Sequence, residues 1–259
     1  MVRLTIDLKK SIEENAGDYF ERAKKLKRKI EGAKKAVFDQ KKKLEQLEKE
    51  TPKEEVKEKV EARKKQWYEK FRWFISSEGF LCVGGRDATT NEIIIKKHAE
   101  KNDLIFHTDM AGSPFVVLKI KDKSNYPTQK TMQEASDFTA VNSKGWKLGM
   151  SSLEVFWVTP DQVTKEANSG EYLTKGAFMI RGKTNYITPS MNYAVGIYDG
   201  AVMGGPINAV KHNCKEYIEI AQGNEKTSDV AKLIQKKLGA DLDEIISVLP
   251  PGCKVKTKV

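Results

Sequence analysis

The chain has 259 residues, 32% of them charged, with a formal net charge of +10 and an isoelectric point near 9.2. That length holds one sizeable core plus an extension, and the basic excess favours an anionic partner, nucleic acid before an anionic membrane. No apolar run nears the roughly 18–20 residues that span a bilayer, the first residues lack the apolar core of a signal peptide, and Cys82, Cys214 and Cys253 form no C-x-x-C pair. A disulfide framework, a structural zinc site and a membrane partner are therefore not expected, and a reducing, cytoplasmic setting is.

Residues 1–70 read as an arm. Thr5-Ile6-Asp7-Leu8 alternates briefly, as a short strand or extended lead-in, and Ser11 with Glu14 fits a capping box. Ala23, Leu26, Ile30, Ala33, Val37, Gln40, Leu44 and Leu47 then keep a heptad-like spacing for about four heptads. Thr51-Pro52 breaks the pattern, and Val56, Val60, Arg63 and Trp67 predict a second helix over Lys53–Lys70. Two such helices predict an antiparallel hairpin, with coiled-coil self-association open to it. The arm carries about 22 Lys/Arg against about 15 Asp/Glu, clustered at Lys24-Lys25, Lys27-Arg28-Lys29 and Lys41-Lys42-Lys43. Such runs suit either a solvated helix face or attachment to RNA phosphates.

Residues 71–190 predict a globular α+β domain with a mixed sheet. Two strands flank the turn Ser76-Ser77-Glu78-Gly79, and a helix spans residues 91–100 with Thr89 or Thr90 as its cap. Strands follow at 103–106 and 113–120. A helix over 131–145, capped by Thr128 or Thr131, leads to strands at 152–159 and 176–182. Residues 191–259 read as a small α/β appendix. It has a hairpin through Asp199-Gly200, a short helix at 207–214, a strand at 217–220, a helix over 228–238 stopped by Gly239, and a last helical turn over 243–249.

Four features carry chemistry. Gly84-Gly85-Arg86-Asp87 puts a guanidinium and a carboxylate before a helix start, where Arg86 could clamp a phosphate and Asp87 orient it. His107-Thr108-Asp109 closes a strand; too few further histidines remain for zinc, so a hydrogen-bonded pair shaping the loop is the expectation. Ser143-Lys144-Gly145-Trp146-Lys147 suits a base stacked on Trp146 between two lysines, or a core tryptophan. Arg181-Gly182-Lys183-Thr184-Asn185-Tyr186 repeats the basic-aromatic theme. No Walker A, G-x-S-x-G or H-E-x-x-H motif occurs, so no enzyme, cofactor or metal is expected.

Several of these runs together resemble the RNA-binding domain of the NFACT family, the ribosome quality-control and fibronectin-binding-protein-like proteins. They are Trp73-Phe74-Ile75-Ser76-Ser77-Glu78-Gly79, Gly84-Gly85-Arg86-Asp87 with Asn91-Glu92, His107-Thr108-Asp109-Met110-Ala111-Gly112, and Gly170 to Lys183. The arm resembles that family's coiled-coil hairpin, including Asn15-Ala16 and Tyr19-Phe20. The resemblance implies binding to the large ribosomal subunit and to tRNA or rRNA. The family's large N-terminal domain and helix-hairpin-helix module have no counterpart, so the chain reads as a fragment or a short member. Many members carry a histidine where Ala111 stands, which argues further against a metal.

The RNA-binding residues expected are Arg86, Asp87, Asn91, His107, Asp109, Ser113, Lys144, Trp146, Lys147, Arg181 and Lys183. The leading reading is a non-enzymatic RNA-binding factor of ribosome-associated quality control. The alternatives are a coiled-coil protein–protein adaptor and, last, a hydrolase using His107, Asp109 and Asp87.

Overall fold

In the computed structural model, which describes residues 5–50, 63–122, 124–166 and 173–256, the chain divides into two units, Met1–Ala62 and Arg63–Val259. In the first, helix α1 spans Ile12–Glu50, roughly 58 Å at 1.5 Å per residue. Its start is the expected capping box: Ser11 Oγ accepts from Glu14 N at 3.2 Å and Glu14 Oε2 accepts from Ser11 N at 2.8 Å. The lead-in is not a strand. Asn15 Oδ1 takes the amide of Asp7 at 2.8 Å and Asn15 Nδ2 donates to its carbonyl at 3.0 Å, folding the segment onto the first turns. The heptad residues Leu26, Ile30 and Val37 are 51%, 54% and 57% exposed.

The predicted second arm helix lies outside the described residues over 53–62. Its final part, Arg63–Lys70, is not α-helical: an extended piece leads into a single 3-10 turn, Trp67–Lys70. Tertiary contacts override the helical spacing here. Arg63 grips Glu69 with two hydrogen bonds of 3.0 and 2.6 Å, Trp67 stacks on His98 at 4.3 Å, and Tyr68 packs against Trp73.

The second unit contains, in order, β1 (Arg72–Ile75), β2 (Leu81–Gly84), α2 (Ala88–Ile93), β3 (Leu104–Thr108), β4 (Val116–Leu118), α3 (Gln129–Val141), α4 (Lys144–Lys147), β5 (Val155–Val158), β6 (Val163–Thr164), β7 (Met179–Ile180) and β8 (Asn185–Ile187). It continues with β9 (Tyr193–Tyr198), β10 (Ala201–Gly205), α5 (Ile207–Asn213), β11 (Tyr217–Gln222), α6 (Thr227–Leu238), α7 (Leu242–Val248) and β12 (Cys253–Val255). The architecture is α+β. A six-stranded sheet runs β1-β2-β4-β3-β5-β8, a four-stranded one β10-β9-β11-β12, and β6 pairs with β7.

Every pairing among the described residues is antiparallel, where a mixed sheet was expected. The connections explain it. The segment through α2 does return the chain so that β2 and β3 point the same way, but β4 inserts between them; likewise β3 separates β4 from β5. Each crossover skips one strand.

The large sheet is buried on both faces by simple alternation. Leu104, Phe106, Val116, Leu118 and Val155 pack with Phe138 of α3 and with the second sheet. Ile105, Val117, Phe156 and Val158 face Phe71 and Ile94 on the other side. The described part of the predicted appendix, 191–256, packs on the main domain, because Tyr193, Met203, Ile234 and Ile245 belong to the first of these clusters. Its β9–β10 turn forms as expected, with Asp199 and Gly200 at φ +47° and +72°, the primed turn that matches strand twist.

Three local boundaries move. Asp87, not Thr89 or Thr90, caps α2, its carboxylate accepting from Thr90 N at 2.8 Å. The helix over 131–145 ends at Val141, where the chain re-caps on Ser143 to start α4. The 176–182 strand shrinks to the two residues of β7.

Candidate nucleic-acid interface

A cleft of about 610 Å³ opens where β2 and β3 end and β1, β4 and β5 begin. Six of the sequence-predicted residues line it: Arg86, Asp87, Asn91, His107, Asp109 and Ser113. The β2–α2 corner fixes the first three. A side chain at Gly85 would overlap Asn91, so the glycine lets Asn91 Oδ1 reach the amide of Phe115 at 3.1 Å across the strand ends.

Arg86 is not a free clamp partnered by Asp87. Its Nη2 donates to the carbonyl of Phe71 at 3.1 Å, and partial burial lowers its pKa. Asp87 is committed to capping, and the hydrogen bond from the Thr90 amide, first among its causes, lowers its own pKa. The N-terminus of α2 is thus filled by a carboxylate and offers no phosphate cradle.

The expected His107–Asp109 pair does not form. Alternate residues share a face only while a strand lasts, and β3 stops at Thr108. His107 instead stacks on Phe115 at 4.1 Å and 25°, and burial lowers its pKa, so it is neutral at neutral pH. Asp109 is exposed in the loop beyond, 3.5 Å from the Tyr186 hydroxyl. Among the described residues no group of three or more His, Cys, Asp or Glu is placed to hold a metal ion.

The Ser143–Lys147 segment resolves differently from the stacking expectation. Trp146 is 3% exposed and sits in the core, so no base can lie on it. Lys144 is exposed beside the cleft, its amide donating to Gly112 O at 3.1 Å, while Lys147 packs near Gly252, away from it. Arg181 and Lys183 are exposed but do not line the cleft; their carbonyls both accept from Gln162 Nε2 at 2.9 Å.

Sequence reasoning missed Arg72, Asn142, Lys175 and Phe178, all of which line the cleft. Arg72 is mostly buried, with Nη1 donating to Gly85 O at 3.1 Å, and burial lowers its pKa. A single arginine opening an apolar strand was its only local signal. Tyr186, half exposed, does not line the cleft but meets two residues that do: its hydroxyl is 3.5 Å from Asp109 and its ring is edge-on to Phe156 at 6.1 Å.

Residues 70–182 match the family described as the NFACT protein RNA binding domain. The chain is 40% identical over 214 residues to the Archaeal Rqc2 homolog aRqcH of Methanocaldococcus jannaschii, covering 79% of this chain and 31% of that protein. It is 40% identical over 180 residues to the human Ribosome quality control complex subunit NEMF, covering 68% of this chain and 16% of that protein. The chain thus spans about a third or less of the curated relatives it matches. The C-terminal part of the fibronectin/fibrinogen-binding protein from Streptococcus suis superposes with a TM-score of 0.38 at 20% identity, over 70% of this chain and 77% of that one, too loosely to bear on the fold.

Proposed function

This chain belongs to the NFACT family, and from that premise we propose that it is a non-enzymatic RNA-binding factor of ribosome-associated quality control, acting in the cytoplasm on the large ribosomal subunit with tRNA or rRNA as its ligand. The observation that carries the reading is the RNA-binding-domain match over residues 70–182, which falls within the unit that holds the arginine-bearing cleft. The human relative is named a ribosome quality control complex subunit, and the basic excess of the chain suits an RNA partner.

Physically, the arm and the cleft rim would supply phosphate contacts, which raise affinity without reading sequence. Arg86, Lys144 and Lys175 place cations around the opening, and the exposed Arg181 and Lys183 extend that positive rim. The test is a salt titration of tRNA and rRNA binding together with co-sedimentation on purified large subunits. A linear fall of log affinity with log salt, shallower in the Arg86→Ala/Lys183→Ala variant, is expected. No sedimentation with large subunits and no affinity for either RNA at low salt would sink the reading.

A further inference from the structure

Six buried side-chain nitrogen or oxygen atoms lack a hydrogen-bond partner among the described residues, and three of them, Arg72 Nε, Ser113 Oγ and Asn142 Oδ1, belong to residues lining this one cleft. Buried polar atoms are rarely left unpaired, and these three, themselves sealed from solvent, give the wall of this recess a polar character that the rest of the core lacks. The two arginines there are held by reciprocal tethers. Arg72 donates to the carbonyl of Gly85 while Arg86 donates to that of Phe71, at 3.1 Å in both cases, across the end of the β1–β2 hairpin.

Each guanidinium therefore spends one nitrogen on backbone and keeps others for something else. Neither forms an ion pair with a carboxylate among the described residues. Two like charges side by side, one of them mostly buried, suit an anion that accepts from both.

The other wall is aromatic. Tyr186, Phe156 and His107 are cross-strand neighbours on β8, β5 and β3, Phe115 just before β4 stacks on His107, and Phe178 meets Phe115 edge-on at 5.3 Å. Because His107 is neutral, this wall adds no charge beside the arginines; Phe115 and Phe156 are buried in it, and Tyr186, half exposed, is the most open of the four rings. The cavity of about 610 Å³ is of small-molecule size.

We propose that the cleft receives one unpaired nucleotide of RNA, its phosphate on Arg72 and Arg86 and its base against the exposed ring of Tyr186, beside the polar lining that Ser113 contributes. This rests on the RNA reading above and narrows it to unpaired RNA. A base stacked inside a duplex cannot enter a recess of this kind, whereas a splayed-out base from a loop or end can.

The experiment measures binding of the whole 259-residue chain, by fluorescence anisotropy, to a short unstructured RNA oligonucleotide and to a blunt RNA hairpin of the same composition. The variants are Arg72→Gln, Ser113→Ala and Tyr186→Ala. Tyr186 is 50% exposed, so its variant keeps the test valid if the buried Arg72 variant fails to fold. Arg72→Gln and Tyr186→Ala are each expected to weaken the oligonucleotide about tenfold, Ser113→Ala less, and the hairpin by under about twofold. Equal losses on both RNAs, or no loss on either, overturn the nucleotide pocket while leaving the RNA reading standing. Failure of the unaltered chain to bind either RNA overturns both.

Discussion

In α1, Leu26, Ile30 and Val37 keep more than half of their surface in solvent, while in the large sheet Ile105, Phe106 and Val116 are sealed from it. Both regions carry well-spaced apolar residues, but only the sheet has its burial built into the described structure. The helix is held by its capping box, by the Asn15 and Tyr19 contacts to the lead-in, and by helix propensity. Such local terms are marginal unless an apolar face is covered. Contacts made by the arm should accordingly be plastic and charge-driven, and contacts made by the cleft should depend on fixed geometry.

The sharpest way to break this contrast is to delete an apolar side chain in each region. Phe106→Ala, in the centre of the sheet, should cost about 3–5 kcal/mol in chemical denaturation. Ile30→Ala should change stability by no more than about 0.5 kcal/mol, since alanine is the better helix former and little burial is lost. An Ile30→Ala loss comparable to that of Phe106→Ala would mean that the seam is covered in solution. Sedimentation of the two variants would then say whether a second copy covers it.

Charges repeat the comparison at a smaller scale. Asp103 is fully buried and accepts from Lys119 Nζ at 2.6 Å, Ile120 N at 2.9 Å and Glu100 N at 2.7 Å, pinning the end of β4 to the start of β3. Removing it in Asp103→Ala leaves two amides without their acceptor and Lys119 with only the exposed Glu100 and the His98 carbonyl, and should cost about 3 kcal/mol. The arm's Lys10–Asp18 pair is solvent-exposed, so Lys10→Ala should leave the melting temperature unmoved.

Helix caps come next. Both α1 and α2 begin on a side-chain cap, Ser11 and Asp87. Asp87→Ala should lower the stability of the Arg63–Val259 unit by about 1 kcal/mol. Ser11→Ala should instead fray only the first turns of the arm, seen as faster amide hydrogen exchange there with no shift in the main transition. A global loss from Ser11→Ala would show that the two units unfold together.

How much of this could be read from residues alone depends on how local the deciding contact is. The Ser76–Gly79 and Asp199–Gly200 turns, the Ser11 box and the stop at Gly239 are decided within a few residues, and they form as read. Strand order is not local: β4 slipping between β2 and β3 turns a mixed sheet into an antiparallel one without changing any single strand's pattern. Trp146 is buried in a core shared with the second sheet, and Gln222, 76 residues away, donates to its carbonyl. Nothing in Lys144–Lys147 announces that. Arg72 joins the cleft only because Gly85 and Arg86 are folded across from it. Asp87, read as the partner of Arg86, is the α2 cap, a role its residue type suits as well as Thr89 or Thr90.

The smallest effect separates the regions by pH. Burial lowers the pKa of His107 from 6.5, so the unfolded chain takes up a proton there before the folded one does. Its contribution is complete above the unfolded value and is lost as pH falls from 6.5 toward the lowered folded value. His98 shifts in the same direction through burial, while burial raises Glu134 and Asp137, which works in the opposite sense. The readout is therefore a difference: His107→Phe keeps the stack on Phe115, removes one titrating group and should flatten the decline below pH 6.5 relative to the unaltered chain. The arm holds no histidine, so the helix signal from residues 12–50 should stay level through the same window. Parallel profiles for His107→Phe and the unaltered chain would mean that the imidazole is hydrated and charged, and that the aromatic wall of the cleft opens in solution.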